Sequence, residues 1–177
     1  MAAADRDGQP RAEGRLGRQD LIRHAQLTRS TPSTVNVTTI VSSRLAVETR
    51  GTGFVDITGE VAKFLREARA REGAVTLFIR HTSASLTIQE NADPSVLRDL
   101  TTALNRLAPE NGGWVHDTEG PDDMPAHIKT MLTATSLQIP VLNGEMALGT
   151  WQGIYVAEHR ARPHRREIVL QFMGSTA

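Results

Sequence analysis

Cysteine is absent from the 177 residues, and that single absence removes several chemistries together. Disulfides, thiolate metal sites, iron–sulfur clusters and a thiol nucleophile all require it. A reducing, cytoplasmic setting is the compatible expectation. Aromatic side chains are scarce, and neither sign of charge is in excess: 20 basic residues balance 20 acidic ones. A neutral chain has no broad field with which to gather nucleic acid or an anionic bilayer, so neither is expected as a partner. No apolar run reaches the roughly 18 residues of a membrane span. The chain also lacks an internal repeat, a glycine-rich phosphate loop and a G-x-G-x-x-G fingerprint.

What is present reads as one modest domain behind a tail. Residues 1–34 set Arg6, Arg11, Arg15, Arg18, Arg23 and Arg29 against Asp5, Asp7, Glu13 and Asp20, with few large apolar residues between them. That composition cannot bury enough area to offset chain entropy, so a disordered tail is expected. It has no apolar stretch like that of a secretory signal, and its acids argue against a transit peptide. A true start at Val35 or Val37 is an alternative, which amino-terminal sequencing of the native protein would refute by finding earlier residues. Residues 35–177 are the expected folded domain.

Within that domain Val37, Ile40, Val41 and Leu45–Thr49 predict a strand that a bulge can interrupt, and Phe54–Ile57 a second one. Thr58 is the expected cap of a helix whose Val61, Phe64, Leu65 and Ala68 share one face, ending near Gly73. Ala74–Arg80 is β-prone, with Leu86–Gln89 continuing or pairing with it. Asp93-Pro94 marks a helix start, followed by an apolar face of Val96, Leu97, Leu100, Leu104 and Leu107. A third helix is expected after the acidic loop His116–Asp123, capped by Asp122 or Asp123, with Ile128, Met131 and Leu132 facing the core. Asn143-Gly144 suits a tight type I′ hairpin between Ser136–Leu142 and Glu145–Leu148. Trp151–Glu158 and Glu167–Met173 are the last strands. Antiparallel strands with inserted helices make the class α+β.

Three histidines stand at places where chemistry is plausible. His81 opens the polar run His81–Ser85, His116 opens the acidic loop, and His127 lies four residues beyond Asp123. Imidazoles with nearby carboxylates can hold zinc or a similar ion and leave a position open. Their separations, 35 and then 11 residues, match no short zinc motif; three separate hydrogen-bonded histidines are the plainer alternative. A helix dipole accounts for one or two of Asp117, Glu119, Asp122 and Asp123 but not for all four. The remainder suit magnesium binding, orientation of a histidine or acid–base work. Glu90 and Asn91 are polar residues left over beside the N-cap Asp93. Arg160, Arg162, Arg165 and Arg166 form either a phosphate fork or a solvated hairpin tip. Thr82, Ser83 and Ser85 supply hydroxyls without a nucleophile elbow.

The stretches Arg80–Asp93 (RHTSASLTIQENAD), His116–Ile128 (HDTEGPDDMPAHI) and Asn143–Glu158 (NGEMALGTWQGIYVAE) resemble the YjbQ family, also described as secondary thiamine-phosphate synthase enzymes. The resemblance runs from about Val37 to Phe172. It implies a compact antiparallel β-sandwich with inserted helices, assembled as a homotrimer with sites near subunit boundaries. It implies a catalytic and metal-holding role for His81, His116 and His127, with Glu119 and Asp123 orienting histidines or holding a cation. The substrate-binding positions it implies are Thr82, Ser83, Ser85, Glu90, Asn91, Trp151, Gln152 and Arg166. A divalent metal, zinc or magnesium, is implied, and no organic cofactor. The implied reaction joins a hydroxymethylpyrimidine diphosphate to a thiazole phosphate and releases pyrophosphate. The chain offers no obvious diphosphate cradle, so this can be a side activity. The alternatives are a metal-binding protein, a metal-dependent hydrolase, or a non-catalytic assembly. Gln89 stands where the family usually has asparagine, and the Arg160–Arg166 loop departs from the family in its extra arginine and its proline.

Overall fold

Alternation of apolar and polar side chains fixes which face of each strand turns inward. In the computed structural model, which describes residues 28–177, the elements run β1 (Thr39–Glu48), β2 (Gly53–Asp56), α1 (Thr58–Glu67), β3 (Ala70–Ile79), β4 (Ala84–Glu90), α2 (Pro94–Leu107), α3 (Asp123–Leu132), β5 (Ser136–Leu142), β6 (Glu145–Met146), β7 (Gln152–Glu158) and β8 (Arg165–Thr176). The tail expected over residues 1–34 lies, for residues 1–27, outside the described residues. Thr34–Ala177 form one unit. It holds a five-stranded sheet in the order β1-β8-β3-β5-β6 and a three-stranded sheet in the order β2-β7-β4. Every pairing is antiparallel. Val75, Leu77, Ile79, Ile139, Ile168, Leu170 and Phe172 of the larger sheet join Leu86, Ile154 and Val156 of the smaller one in a single apolar core. α1 closes that core with Val61, Phe64 and Leu65. The α+β class expected from the sequence is the fold.

Several local expectations change. β1 pairs with β8 without a slip; the irregularity lies in β3, between Ala70 and Gly73. α1 stops at Glu67 because Arg69 turns to φ +52° and the chain enters β3, so Ala70–Glu72, good helix formers, begin a strand: Ala70 pairs with Thr176, and Arg71 and Glu72 form the irregular step before Gly73. Thr58 is not a side-chain cap. Its Oγ1 accepts the Ile154 N–H at 2.8 Å, while Asp56 Oδ1 accepts the Thr58 N–H. β4 pairs with β7 in the smaller sheet, not with β3. Asp93 caps α2 as expected, accepting the Ser95 N–H at 2.7 Å. Asn143 and Gly144 both take positive φ, as a type I′ turn requires. On α3 the expected inward face is largely outside: Met131 and Leu132 are 78% and 52% exposed. The buried positions are Asp123, Pro125, Ala126, Lys129 and Thr130, because this helix packs on a polar end of the core.

That polar end is built by the last residues of β7 and the first of β8. Glu158, His159 and Arg166 are all buried. Both Glu158 oxygens are taken: Arg166 donates through Nε (2.7 Å) and Nη2 (2.6 Å), Thr49 through Oγ1 (2.8 Å) and Arg160 through its backbone N–H (2.9 Å). Burial raises the Glu158 pKa, but these donors outweigh it and hold the carboxyl below its ordinary value. His159 shares a 2.8 Å hydrogen bond with Ser85 Oγ. Burial, reinforced by Lys129, pulls its pKa from 6.5 to about 4.

Two predictions follow from this packing. A Cβ on Gly174 would meet the Glu72 carbonyl oxygen at 2.1 Å, backbone against backbone, so Gly174→Ala should cost about 3 kcal/mol, read by urea unfolding. His159 is neutral in the folded chain and protonates readily when unfolded. Stability should therefore be full above pH 6.5 and fall by about 3 kcal/mol as pH drops toward 4. In His159→Gln this part of the acid slope should be missing; an unchanged slope contradicts the assignment.

Candidate functional site

The acidic loop and the first turns of α3 bring three ligand-type side chains together. His116, Asp123 and His127 each offer one donor atom, and these atoms lie within 4.8 Å of one another. Asp123 is buried, whereas His116 and His127 reach partly into solvent. Helical spacing explains half of this, since residues four apart share a face. The loop delivers His116 against them, its ring 5.5 Å from that of His127 and tilted at 52°.

Two observations describe how the trio's polar atoms are and are not partnered. The first concerns His127. Its Nδ1 lies 3.0 Å from the Thr82 carbonyl oxygen. A carbonyl can only accept, so Nδ1 carries the proton and the neutral ring keeps its lone pair on Nε2. Nε2 faces Asp123 Oδ2 at 3.6 Å, too long for a hydrogen bond. The second concerns Oδ2 itself. It is buried and accepts no hydrogen bond, even though His116 Nε2 stands 2.8 Å away, because the imidazole does not aim at it. Buried carboxylate oxygens without a partner are costly. Ligands around a shared cation crowd in this way without hydrogen-bonding to each other. Two imidazoles and a carboxylate, with a carbonyl fixing one tautomer, suit a divalent transition ion with coordination positions left open.

Arg160 sets the other half of Asp123. Its Nη1 contacts Asp123 Oδ1, its Nε donates to Asp122 Oδ2 at 3.1 Å, and its Nη2 donates to the Glu119 carbonyl at 2.8 Å. Asp122 Oδ2 also accepts the Ala161 N–H at 2.8 Å. Burial works against the Asp122 charge, but the Ala161 N–H and Arg160 outweigh it and keep its pKa below the ordinary value. Burial likewise opposes the Arg160 charge, and the three surrounding acids more than restore it. Sequence reasoning passed over Arg160 as one arginine among four in a basic loop. The available signal was the neighbouring acidic loop, which needed an internal cation.

The remaining expected site residues scatter. His81 does not join the trio: its Nε2 accepts the Glu167 N–H at 2.9 Å, which ties it to β8. Burial, then the Arg166 charge, lowers its pKa. Glu119 points its carboxylate to solvent, at 70% exposure, and orients Arg160, not a histidine. Arg166 is no phosphate fork, because its guanidinium is spent on Glu158 and the Ser83 carbonyl. Ser85 is sealed against His159. Thr82 serves through its carbonyl. Glu90, Asn91, Trp151 and Gln152 do cluster, but at the other end of the small sheet. Ala84 pairs with Glu158 and Glu90 with Gln152, so the two ends are about 20 Å apart along β4. There an open cleft of about 470 Å³ is lined by Ile88, Gln89, Glu90, Ala92, Trp151 and Gln152. Asn91 braces it by hydrogen bonds to the Trp151 and Gln152 backbones.

The family described as UPF0047 protein YjbQ-like matches residues 43–175. A UPF0047 protein of Synechocystis is 47% identical over 131 residues, covering 73% of this chain and 89% of its own. The UPF0047 protein YjbQ of Escherichia coli O157:H7 is 42% identical, covering 73% and 95%. Among solved structures, a YjbQ/UPF0047 family protein of Clostridium acetobutylicum superposes with a TM-score of 0.67 at 38% identity, over 75% of this chain and 98% of that one. A hypothetical protein of Aeropyrum pernix K1 gives 0.71 at 27% identity, over 76% and 99%. With the motifs around His116, His127 and Trp151 inside the matched span, the chain belongs to the UPF0047/YjbQ family.

Proposed function

We propose that this protein is a metal-dependent enzyme acting on a small phosphorylated substrate, with His116, Asp123 and His127 as the cation ligands. The observation that carries this is the buried Asp123 Oδ2, which accepts no hydrogen bond although the ring nitrogens of His116 and His127 stand 2.8 and 3.6 Å from it. The donor set, two nitrogens and one oxygen, favours zinc or a similar ion over magnesium, which prefers oxygen. A cation bound there supplies Lewis-acid polarisation of a substrate oxygen. The protein's own contribution is positional. Thr82 holds the His127 tautomer, Arg160 occupies Asp123 Oδ1 so that Oδ2 stays available, and partly exposed His116 borders the open side.

The thiamine-phosphate-forming transfer is a second reading, supported by the Trp151 cleft. Trp151 is 65% exposed, and a flat heteroaromatic ring can stack on it. Gln89, Gln152 and Glu90 line the same cleft and can hydrogen-bond such a ring's edge. This transfer needs the cleft near the cation ligands, which one protomer keeps about 20 Å apart. The homotrimer that the family resemblance implies would have to bring the cleft of one copy to the histidines of another.

Zinc titration by calorimetry tests the first reading. One ion per chain is expected, with affinity lowered at least about 100-fold in His127→Ala and about 10- to 100-fold in Arg160→Gln, both variants retaining their circular dichroism. A purified protein that carries no metal and binds none overturns it. For the second reading, turnover of the two thiamine precursors should be lost in Trp151→Ala while zinc affinity is kept.

A further inference from the structure

We propose that the substrate's phosphate docks in the cleft where β3 gives way to β4, and that the substrate is a phosphate monoester with an apolar organic part; this rests on the phosphorylated-substrate reading above. The chain crosses there from the larger sheet to the smaller one. The cleft is open and holds about 540 Å³, with Phe78, Arg80, His81, Thr82, Ser83 and Thr135 on its lining. It adjoins the cation ligands through Thr82, whose carbonyl accepts from His127 Nδ1 at 3.0 Å. The main chain of the bend is tied down at further points. Ile79 N–H donates to the Thr135 carbonyl at 2.9 Å, and Arg80 N–H to the Glu167 carbonyl at 3.1 Å. The Ser83 carbonyl accepts from Arg166 Nη2 at 3.4 Å. A bend held in this way presents its side chains at little further cost in ordering.

The side chains are in the opposite condition, donors without acceptors. Glu167 N–H reaches His81 Nε2 at 2.9 Å, and a backbone N–H can only donate, so the His81 proton sits on Nδ1. Among the described residues that Nδ1–H has no acceptor, and the Thr82, Ser83 and Thr135 hydroxyls make no hydrogen bond. Hydroxyls do not choose a sign of charge, but an imidazole N–H and a guanidinium do. Arg80 and Arg44 share the single carboxylate of Glu167, at 2.5 and 3.8 Å, which leaves one positive charge in excess. No acidic residue is on the cleft's lining, whereas the Trp151 cleft carries Glu90. Arg80 spends Nη1 on Glu167 and keeps its other N–H groups. The terminal oxygens of a phosphate monoester accept from such a set. Phe78, 48% exposed on the same lining, offers the ester's organic part an apolar surface.

Inorganic phosphate and phenyl phosphate are titrated calorimetrically into the full chain after dialysis against a chelator. Phosphate should bind with a Kd of about 1 mM, and phenyl phosphate about 3- to 10-fold more tightly. Arg80→Gln, a change at an exposed side chain, should weaken both about 10-fold. Glu167→Gln, which frees the Arg80 guanidinium, should tighten both, and it decides the matter if Arg80→Gln does not fold. Phe78→Ala should bring phenyl phosphate down to the affinity of inorganic phosphate. Absence of saturable phosphate binding overturns the docking place, as does an affinity unchanged in folded Arg80→Gln or not raised in Glu167→Gln. Equal affinities for the two ligands in the unaltered protein overturn the apolar organic part. Because metal-free protein is used, the two readings fail separately. Zinc binding without phosphate binding overturns the docking place alone, and Arg80-dependent phosphate binding without zinc binding supports it while overturning the cation site.

Discussion

Ionised side chains are held inside this protein by the Glu158–Arg166 pair, and the architecture around the candidate site rests on it. A carboxylate and a guanidinium taken out of water must recover several kcal/mol each through geometry and hydrogen bonds. Here the recovery is complete on the Glu158 side, with four donors on two oxygens. One donor is the backbone N–H of Arg160. The carboxylate therefore fixes the main chain where β7 ends, and with it the origin of the Arg160 side chain. From there the guanidinium reaches Asp122, Asp123 and the Glu119 carbonyl. A strand end in the small sheet thus sets the conformation of a loop more than 30 residues earlier in the chain.

This coupling explains how an acidic loop with little apolar content can be ordered enough to present ligands. Val115, Asp117 and Thr118 are exposed and contribute no packing. Order comes from the inside, through Arg160, and from the bend between β3 and β4, through the Thr82 carbonyl on His127. Each contact acts on a different atom of the trio. Arg160 spends one oxygen of Asp123 and leaves the other; Thr82 spends one nitrogen of His127 and leaves the other. The two spared atoms face each other.

Much of the fold was legible in the sequence, for physical reasons that can be named. Asp93-Pro94 and Asn143-Gly144 carry their geometry in their own covalent structure, so the α2 start and the β5–β6 hairpin were read correctly. Long apolar alternation marked β7 and β8. Failures came where tertiary pairing overrode local preference: Ala70–Glu72 prefer helix, but the Ala70–Thr176 and Gly73–Gly174 pairs with β8 carry this stretch into the strand. On α3 the apolar residues suggested a core face, whereas the helix packs on charge. For the site, His127 and Asp123 were readable because four residues is a helical neighbour distance. His116 was readable only as a histidine in an acidic loop. His81 misled because its position beside Thr82 is close to the site, yet its ring is turned to the Glu167 N–H. Nothing in the linear order of Arg160 and Arg166 distinguishes an inward arginine from a solvated one; burial decides it, and burial is a property of the assembled sheets.

The distribution of satisfied and unsatisfied groups then locates function more sharply than residue type does. Among the described residues, buried side-chain atoms without a partner are Asp123 Oδ2 and Thr130 Oγ1. The threonine is neutral, and an unmade hydroxyl bond costs about 1–3 kcal/mol, within what a stable core absorbs. The aspartate differs: Arg160 meets its charge at Oδ1, while Oδ2 has no aligned hydrogen bond although His116 Nε2 stands 2.8 Å away. Lys129 presents the complementary case, a buried cation with one neutral acceptor. Both departures lie on α3, where Met131 and Leu132 face outward while Asp123 and Lys129 face in. A sequence that spends its inward helical positions on Asp123 and Lys129 gives up the apolar burial those positions would otherwise contribute, on the order of 2 kcal/mol each. Stability alone does not account for that arrangement.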